Sequence, residues 1–256
     1  MRTSMRLLLP LAAAALPFAA MAAPASAAGG TSYQTTLNPL NHSQGSGMAT
    51  VMVHGSQADV KVSWSGLAAK FGGAAYPHVQ HIHGGAAGKC PTMSADKNGD
   101  GVISTTEGAP AYGGVQTTLS TTGDTSPAAT TNIKIAPGGG STNYSRTINL
   151  SSGAVSALRN GTAVIVVHGL DPASLSKKAQ NEKSDLVPSL PLAATSPALC
   201  GVLSSMPTGG VATGTGSTAG VEDRGLLLAG SGLLAGGLLA ASGAVRASRK
   251  RAVAGI

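Results

Sequence analysis

Between residues 31 and 204, short strand-like runs alternate with clusters of Gly, Ser, Asn and Pro, and this punctuation is what most limits the fold. The runs fall at 32–37, 47–53, 59–64, 79–83, 115–119, 131–136, 146–150 and 162–168. Eight short strands separated by turn signals predict an all-β domain, a β-sandwich or flattened barrel. Val51-Met52-Val53 and Val60-Lys61-Val62 flank His54-Gly55-Ser56-Gln57, which reads as a hairpin. Residues 154–159 suit one or two helical turns. About 170 residues suffice to bury one core, with Trp64 and Phe71 expected inside it. No internal repeat is present.

The two ends read differently. Arg2 and Arg6 precede an apolar run over 7–20, and Ala25-Ser26-Ala27 follows, the pattern of a secretory signal peptide cut after Ala27. A membrane anchor is the alternative for that segment. Residues 226–245 contain no charge; as a helix they would span about 30 Å, the thickness of a bilayer core. Arg246, Arg249, Lys250 and Arg251 follow at once, which places the C-terminus in the cytoplasm. Gly232 and Gly236 give a GxxxG spacing. Residues 207–225 are rich in Gly, Thr and Ser and read as a tether. Tether, apolar span and basic tail together resemble the sorting tail of Gram-positive wall proteins. Leu-Pro-x-Thr-Gly is absent, and Met206-Pro207-Thr208-Gly209 is a partial likeness. The expected layout is therefore a signal peptide (1–27), an extracellular domain (28–206), a tether (207–225), a transmembrane helix (226–245) and a cytoplasmic tail (246–256).

The basic balance of the chain belongs to those ends. Of 17 Lys and Arg, two lie in the signal peptide and four in the tail, leaving 11 against 10 Asp and Glu. A nearly neutral ectodomain with few aromatics argues against nucleic-acid binding. Arg159, Lys177, Lys178 and Lys183 read as a solvated basic edge. No Ser/His/Asp or Cys/His nucleophile arrangement and no phosphate loop stands out. Cys90 and Cys200 are the two cysteines of an exported chain, which suggests a disulfide. Two free thiols, or a thiol metal ligand, are the alternatives.

Tyr76 to Glu107 carries most of the chemistry. His81 and His83 are two apart on a strand, so both imidazoles face one side, an arrangement suited to copper or zinc. A pair of solvent-facing histidines is the plain alternative. His168 ends the buried-strand pattern Ala163-Val164-Ile165-Val166-Val167 and offers a third imidazole. His78, three residues before the pair, is a candidate fourth ligand or a loop residue near the site. His42 and His54 sit in turn contexts and are expected at the surface. Residues 96–107 match the twelve-residue EF-hand loop: Asp96, Asn98 and Asp100 at positions 1, 3 and 5, Gly101 at the turn, the Val102 carbonyl at 7, Ile103 at 8 and Glu107 at 12. Hard oxygen donors in this number suit Ca2+. Cys90-Pro91 before the loop and Gly108-Ala109-Pro110 after it leave no room for long flanking helices, so a lone structural loop is expected, tied down by Cys90.

In chain order, His-x-His, a Cys soon after it, Val-Val-His and a closing Cys-Gly-Val resemble the Cu/Zn superoxide dismutases. The resemblance implies an eight-stranded Greek-key sandwich with a long metal-side loop, copper bound by His81, His83 and His168, and a Cys90–Cys200 bridge pinning that loop to the barrel. The opening part, with Gly47-Met48-Ala49-Thr50-Val51, Ser65-Gly66-Leu67 and His81-Ile82-His83-Gly84-Gly85, is similar to CHRD (chordin-type) domains. Two departures stand out. From Cys90 to Ala136 the chain has no histidine, so the bridging ligand and the zinc site are missing and no zinc is expected. Pro197 stands where the dismutases place a guiding arginine. Two readings follow: a zinc-free copper site dismutating superoxide at the cell surface, or a non-catalytic, calcium-stabilised CHRD-like module that binds metal or a surface partner.

Overall fold

The computed structural model describes residues 30–207. The expected signal peptide, transmembrane helix and basic tail, and almost all of the tether, lie outside the described residues. Among the described residues no helix is long and apolar enough to cross a membrane.

Among the described residues eleven strands run in order: β1 (Thr31–Pro39), β2 (Ser46–His54), β3 (Gln57–Ser65), β4 (Lys70–Phe71), β5 (Ala74–Ala75), β6 (Gln80–Gly84), β7 (Gly114–Thr118), β8 (Ser141–Asn149), β9 (Val164–His168), β10 (Pro197–Val202) and β11 (Ser204–Ser205). Short helices interrupt them: α1 (Thr105–Tyr112), α2 (Ser152–Arg159), α3 (Lys177–Asn181) and α4 (Leu192–Thr195). The main sheet is antiparallel in the order β7-β6-β9-β10-β1-β2-β3-β8, with β11 also on β1, and it curls into a half-barrel. The β4–β5 hairpin stands apart.

Alternation builds the half of the sheet that faces water. Along β3, Ala58, Val60, Val62 and Trp64 are buried while the residues between them stay at least partly exposed, as expected of a sheet with one wet face. The β2–β3 turn falls where the sequence placed it, with His54 opposite Gln57. Strands β6 and β9 differ, being buried along their whole length. Ile82, Ile165 and Val167 join the main core, whereas Val164 and Val166 pack outward with Tyr112 and Cys200. The outer face of these two strands is thus roofed by connections instead of water, and it is the face that carries the histidines.

Three expectations need correction. Residues 131–136 are not a strand: Asn132 accepts a hydrogen bond from the Lys134 amide and turns 133–135 into a 3-10 helix, local bonding that outcompetes a sheet ladder. Pro197–Val202, unmarked as a strand, is β10 and pairs with both β9 and β1; proline is tolerated there because it stands at the strand's first residue. Phe71 is not core. It is 40% exposed on the β4–β5 hairpin, stacked on Tyr76. Trp64 is buried, and 154–159 lies within α2.

Candidate metal centre

Pairing of β6 with β9 sets His81 opposite Val166 and His83 opposite Val164. His168 is the last residue of β9, on the same face. The β6–β7 ladder shifts register between Ile82 and His83, a local irregularity of the kind that re-aims a side chain. Nitrogens of His81, His83 and His168 all lie within 4.8 Å of one another, and all three side chains are buried.

The hydrogen bonds define the chemistry of the set. His83 Nδ1 donates to the Gly113 carbonyl at 2.8 Å, His168 Nδ1 to the Thr195 carbonyl at 2.6 Å, and His81 Nε2 to the Thr130 carbonyl at 3.1 Å. A carbonyl only accepts, so each of these nitrogens carries the proton and the other ring nitrogen presents a lone pair. Those others, His81 Nδ1, His83 Nε2 and His168 Nε2, are buried without any hydrogen-bond partner. Burial also holds the rings neutral. Desolvation pushes His83 down to about 3 and His168 to about 4, and it lowers His81 well below the usual imidazole range, helped by the neighbouring His168 and His83. Three neutral, oriented imidazoles with converging lone pairs fit a metal ion; the donor set alone does not name which one.

Helix α1 organises two of the three. Its C-cap residue, Gly113, supplies the carbonyl that fixes His83, and the Tyr112 ring lies edge-on at 4.7 Å from the His83 ring. At its other end, the Thr105 hydroxyl donates to the same Thr195 carbonyl that fixes His168. His78 is not part of the set. Its two ring nitrogens sit 2.9 Å from the His168 and Ala68 carbonyls, and it packs against Trp64 and Tyr76. It braces the backbone of His168 from behind. His42 and His54 are exposed, as expected.

Cys90 and Cys200 are bridged, joining the 85–113 connection to β10. The 96–107 loop then leads into α1. Asp96 accepts from the Gly99 and Gly101 amides, Asn98 from Asp100, and Asp100 from Val102. Glu107 accepts from the Lys97 amide at 2.7 Å and from the Ser104 amide at 2.9 Å, while Ser104 caps α1 in return. Loop position 12 is therefore also the capping-box glutamate of α1. The helix runs only two turns, with Pro110 inside it.

Residues 176–185 lie against this loop. The Ser176 hydroxyl donates to the Asp100 carbonyl, Lys178 Nζ to the Asn98 carbonyl, and the Asn98 side-chain Nδ2 to the Glu182 carboxylate. Asp100 beside Glu182 raises that carboxyl above its usual range. Asp185 accepts from the Thr106 amide at the start of α1. The supporting carbonyls of Gly113, Thr130 and Thr195 carry no residue-type signal, so no sequence pattern points to them; Tyr112, an aromatic one residue before a glycine, was the one readable hint. No protein-family model matches the chain, and no curated protein does either.

Proposed function

We propose that this domain is an exported, metal-binding module of the superoxide-dismutase-like class, with one copper ion held by His81, His83 and His168 and no zinc partner. The observation that carries the reading is the set of three buried, unpartnered ring nitrogens, each on an imidazole whose other nitrogen donates to a backbone carbonyl. Metal-ligating histidines are commonly held this way, with the non-ligating ring nitrogen donating to a carbonyl that fixes the tautomer and the ring's orientation. Copper held by such a set would supply one-electron chemistry between Cu(II) and Cu(I). The residues hold the three donors neutral, oriented and screened from water. The strand order, in which β8 joins β3 after a long connection from β7 at the far edge, supports a Greek-key sandwich.

Asp96, Asn98, Asp100, the Val102 carbonyl and Glu107 would hold Ca2+, and through α1 that loop steadies the His83 and His168 supports. The missing histidines between Cys90 and Ala136, and Pro197 in place of a guiding arginine, favour a copper-holding surface module over a fast dismutase. The membrane anchor at 226–245 and the extracellular placement of the domain belong to the same proposal.

The test loads the full chain with Cu(II) in the presence of Ca2+ and measures bound copper and superoxide decay together, beside a His83→Ala, His168→Ala variant. The reading expects one copper per chain, lost in the variant, with superoxide decay close to that of the variant. Fast, histidine-dependent decay would make it a dismutase. Copper binding that survives the double substitution would refute the site.

A further inference from the structure

The three imidazoles also line a cavity of about 510 Å³, within the ~300–1,000 Å³ usual for small-molecule sites. Its wall does not suit a small inorganic anion. Val79, Val115, Val187, Leu190 and Pro191 contribute apolar surface, and Lys134 is the one charged side chain on the wall, the three imidazoles being neutral. Apolar surroundings penalise a bare anion and reward an organic body.

The mouth carries a second, independent sign. Phe71, Ile133 and Leu186 are 40%, 51% and 50% exposed, and all three line this cavity. They come from three separate connections, so no single element explains their convergence. Exposed apolar side chains gathered at one concave site mark a place where something apolar is bound. Inside, Tyr76 lines the wall and is 2% exposed.

We infer that this cavity binds a small organic molecule of mainly apolar, aromatic character carrying one anionic oxygen donor, a carboxylate or phenolate, that reaches the metal. The body packs between the Phe71/Tyr76 pair and the Leu186–Leu190 wall. The donor group pairs with Lys134 on its way to the proposed histidine-bound ion. The ring-stacked Phe71 and Tyr76, with centroids 5.1 Å apart, give the rim a flat surface suited to an aromatic face. The donor-to-metal part rests on the copper reading above; the apolar part does not.

The experiment is calorimetric titration of the full chain, metal-free and Cu(II)-loaded, with 2-naphthoate and with acetate, which has the donor but no body. Copper content is measured on every sample. Two variants accompany the wild type: Ala194→Trp, which fills the cavity from α4, and the double variant Ile133→Ser, Leu186→Ser, which strips two exposed rim residues and carries little folding risk. We expect one naphthoate per copper-loaded chain, about 100-fold tighter than acetate, and about tenfold weaker in either variant. Naphthoate binding no tighter than acetate, or unchanged in both variants, overturns the inference. Equal naphthoate affinity with and without copper overturns the donor-to-metal part. A chain that takes up no copper sinks the metal reading alone: naphthoate binding to that chain that is lost in Ala194→Trp still supports the organic site.

Discussion

Glu107→Gln separates two jobs that one side chain performs. Glu107 is the twelfth residue of the proposed calcium loop and the capping-box residue of α1, where one oxygen accepts from Lys97 and the other from Ser104. Glutamine is also a capping-box residue, so the substitution keeps one acceptor for the helix while removing the charge and the bidentate ligand. Without calcium, the cost is one lost hydrogen bond to an exposed loop amide, about 1 kcal/mol. With calcium, a ligand that binds only the folded state stabilises it by RT ln(1 + [L]/Kd). Loops outside cells bind with Kd of about 10⁻⁴–10⁻³ M. At about 5 mM Ca2+ the wild type should therefore gain roughly 1–2.3 kcal/mol. A variant with about 100-fold weaker affinity should gain less than about 0.3 kcal/mol at that concentration.

The assay is urea unfolding of both proteins in EDTA and in calcium, reading the midpoint at constant slope. Magnesium serves as the control, because it demands near-ideal octahedral geometry and dehydrates reluctantly. If the wild-type midpoint is the same in EDTA and in calcium, or if Glu107→Gln shows the wild-type gain, the loop is not a calcium site. The Glu107 bonds are then only a helix cap.

Three more outcomes follow from the geometry. The metal-free domain should lose stability on acidification: unfolded histidines protonate below about 6.5, while buried His168 and His83 stay neutral until about 4 and about 3. This contribution is complete above pH 6.5 and disappears as pH falls toward those values, on the order of 3 kcal/mol for His168 alone. Unfolding free energy from urea titrations between pH 8 and pH 4 reads it, and a flat profile would contradict the buried neutral set. Gly113→Ala should cost about 1–3 kcal/mol and weaken the proposed copper binding, because Gly113 has φ +87° and an added Cβ would clash with the Gly84 carbonyl oxygen, displacing the carbonyl that fixes His83. Thermal unfolding and copper titration of that variant check both halves. Replacing both Cys90 and Cys200 by Ser opens a crosslink between positions 110 residues apart and should lower stability by up to ~4–5 kcal/mol; denaturant titration of the variant beside the wild type measures it.

What could be read in the sequence was what side-chain type alone determines. The β2–β3 hairpin was legible because Val51 and Val53 mirror Val60 and Val62 around a Gly-containing turn. His81, His83 and His168 were legible because strand alternation puts the first two on one face and a five-residue apolar run ends in the third. Residues 131–136 misled because two isoleucines at strand spacing outweigh, on paper, an asparagine whose effect is a single backbone bond. Pro197–Val202 was hidden by its opening proline and by a cysteine that drew the eye to bridging instead of pairing. The apolar cavity was illegible for a different reason. Phe71, Ile133 and Leu186 are far apart in the chain; Phe71 reads as core and Ile133 as part of a strand, and only the fold brings the two together with Leu186.

The three orphan nitrogens bear on why such a site would persist. Leaving a buried polar group unpaired costs about 1–3 kcal/mol each, and His81, His83 and His168 each hold one. A fold selected only for stability would replace them with apolar residues at little cost, as Val164 and Val166 already occupy the adjoining outer-face positions of β9. The imidazoles are instead braced, by a helix cap, by the Thr195 carbonyl shared with Thr105 and by His78 behind His168. Bracing that preserves an unfavourable arrangement is expected where a ligand recovers the loss on binding. Metal affinity and folding stability are then linked: each substitution that relaxes a support should destabilise the metal-bound chain more than the metal-free one. That inequality distinguishes a metal centre from three histidines that happen to be buried together.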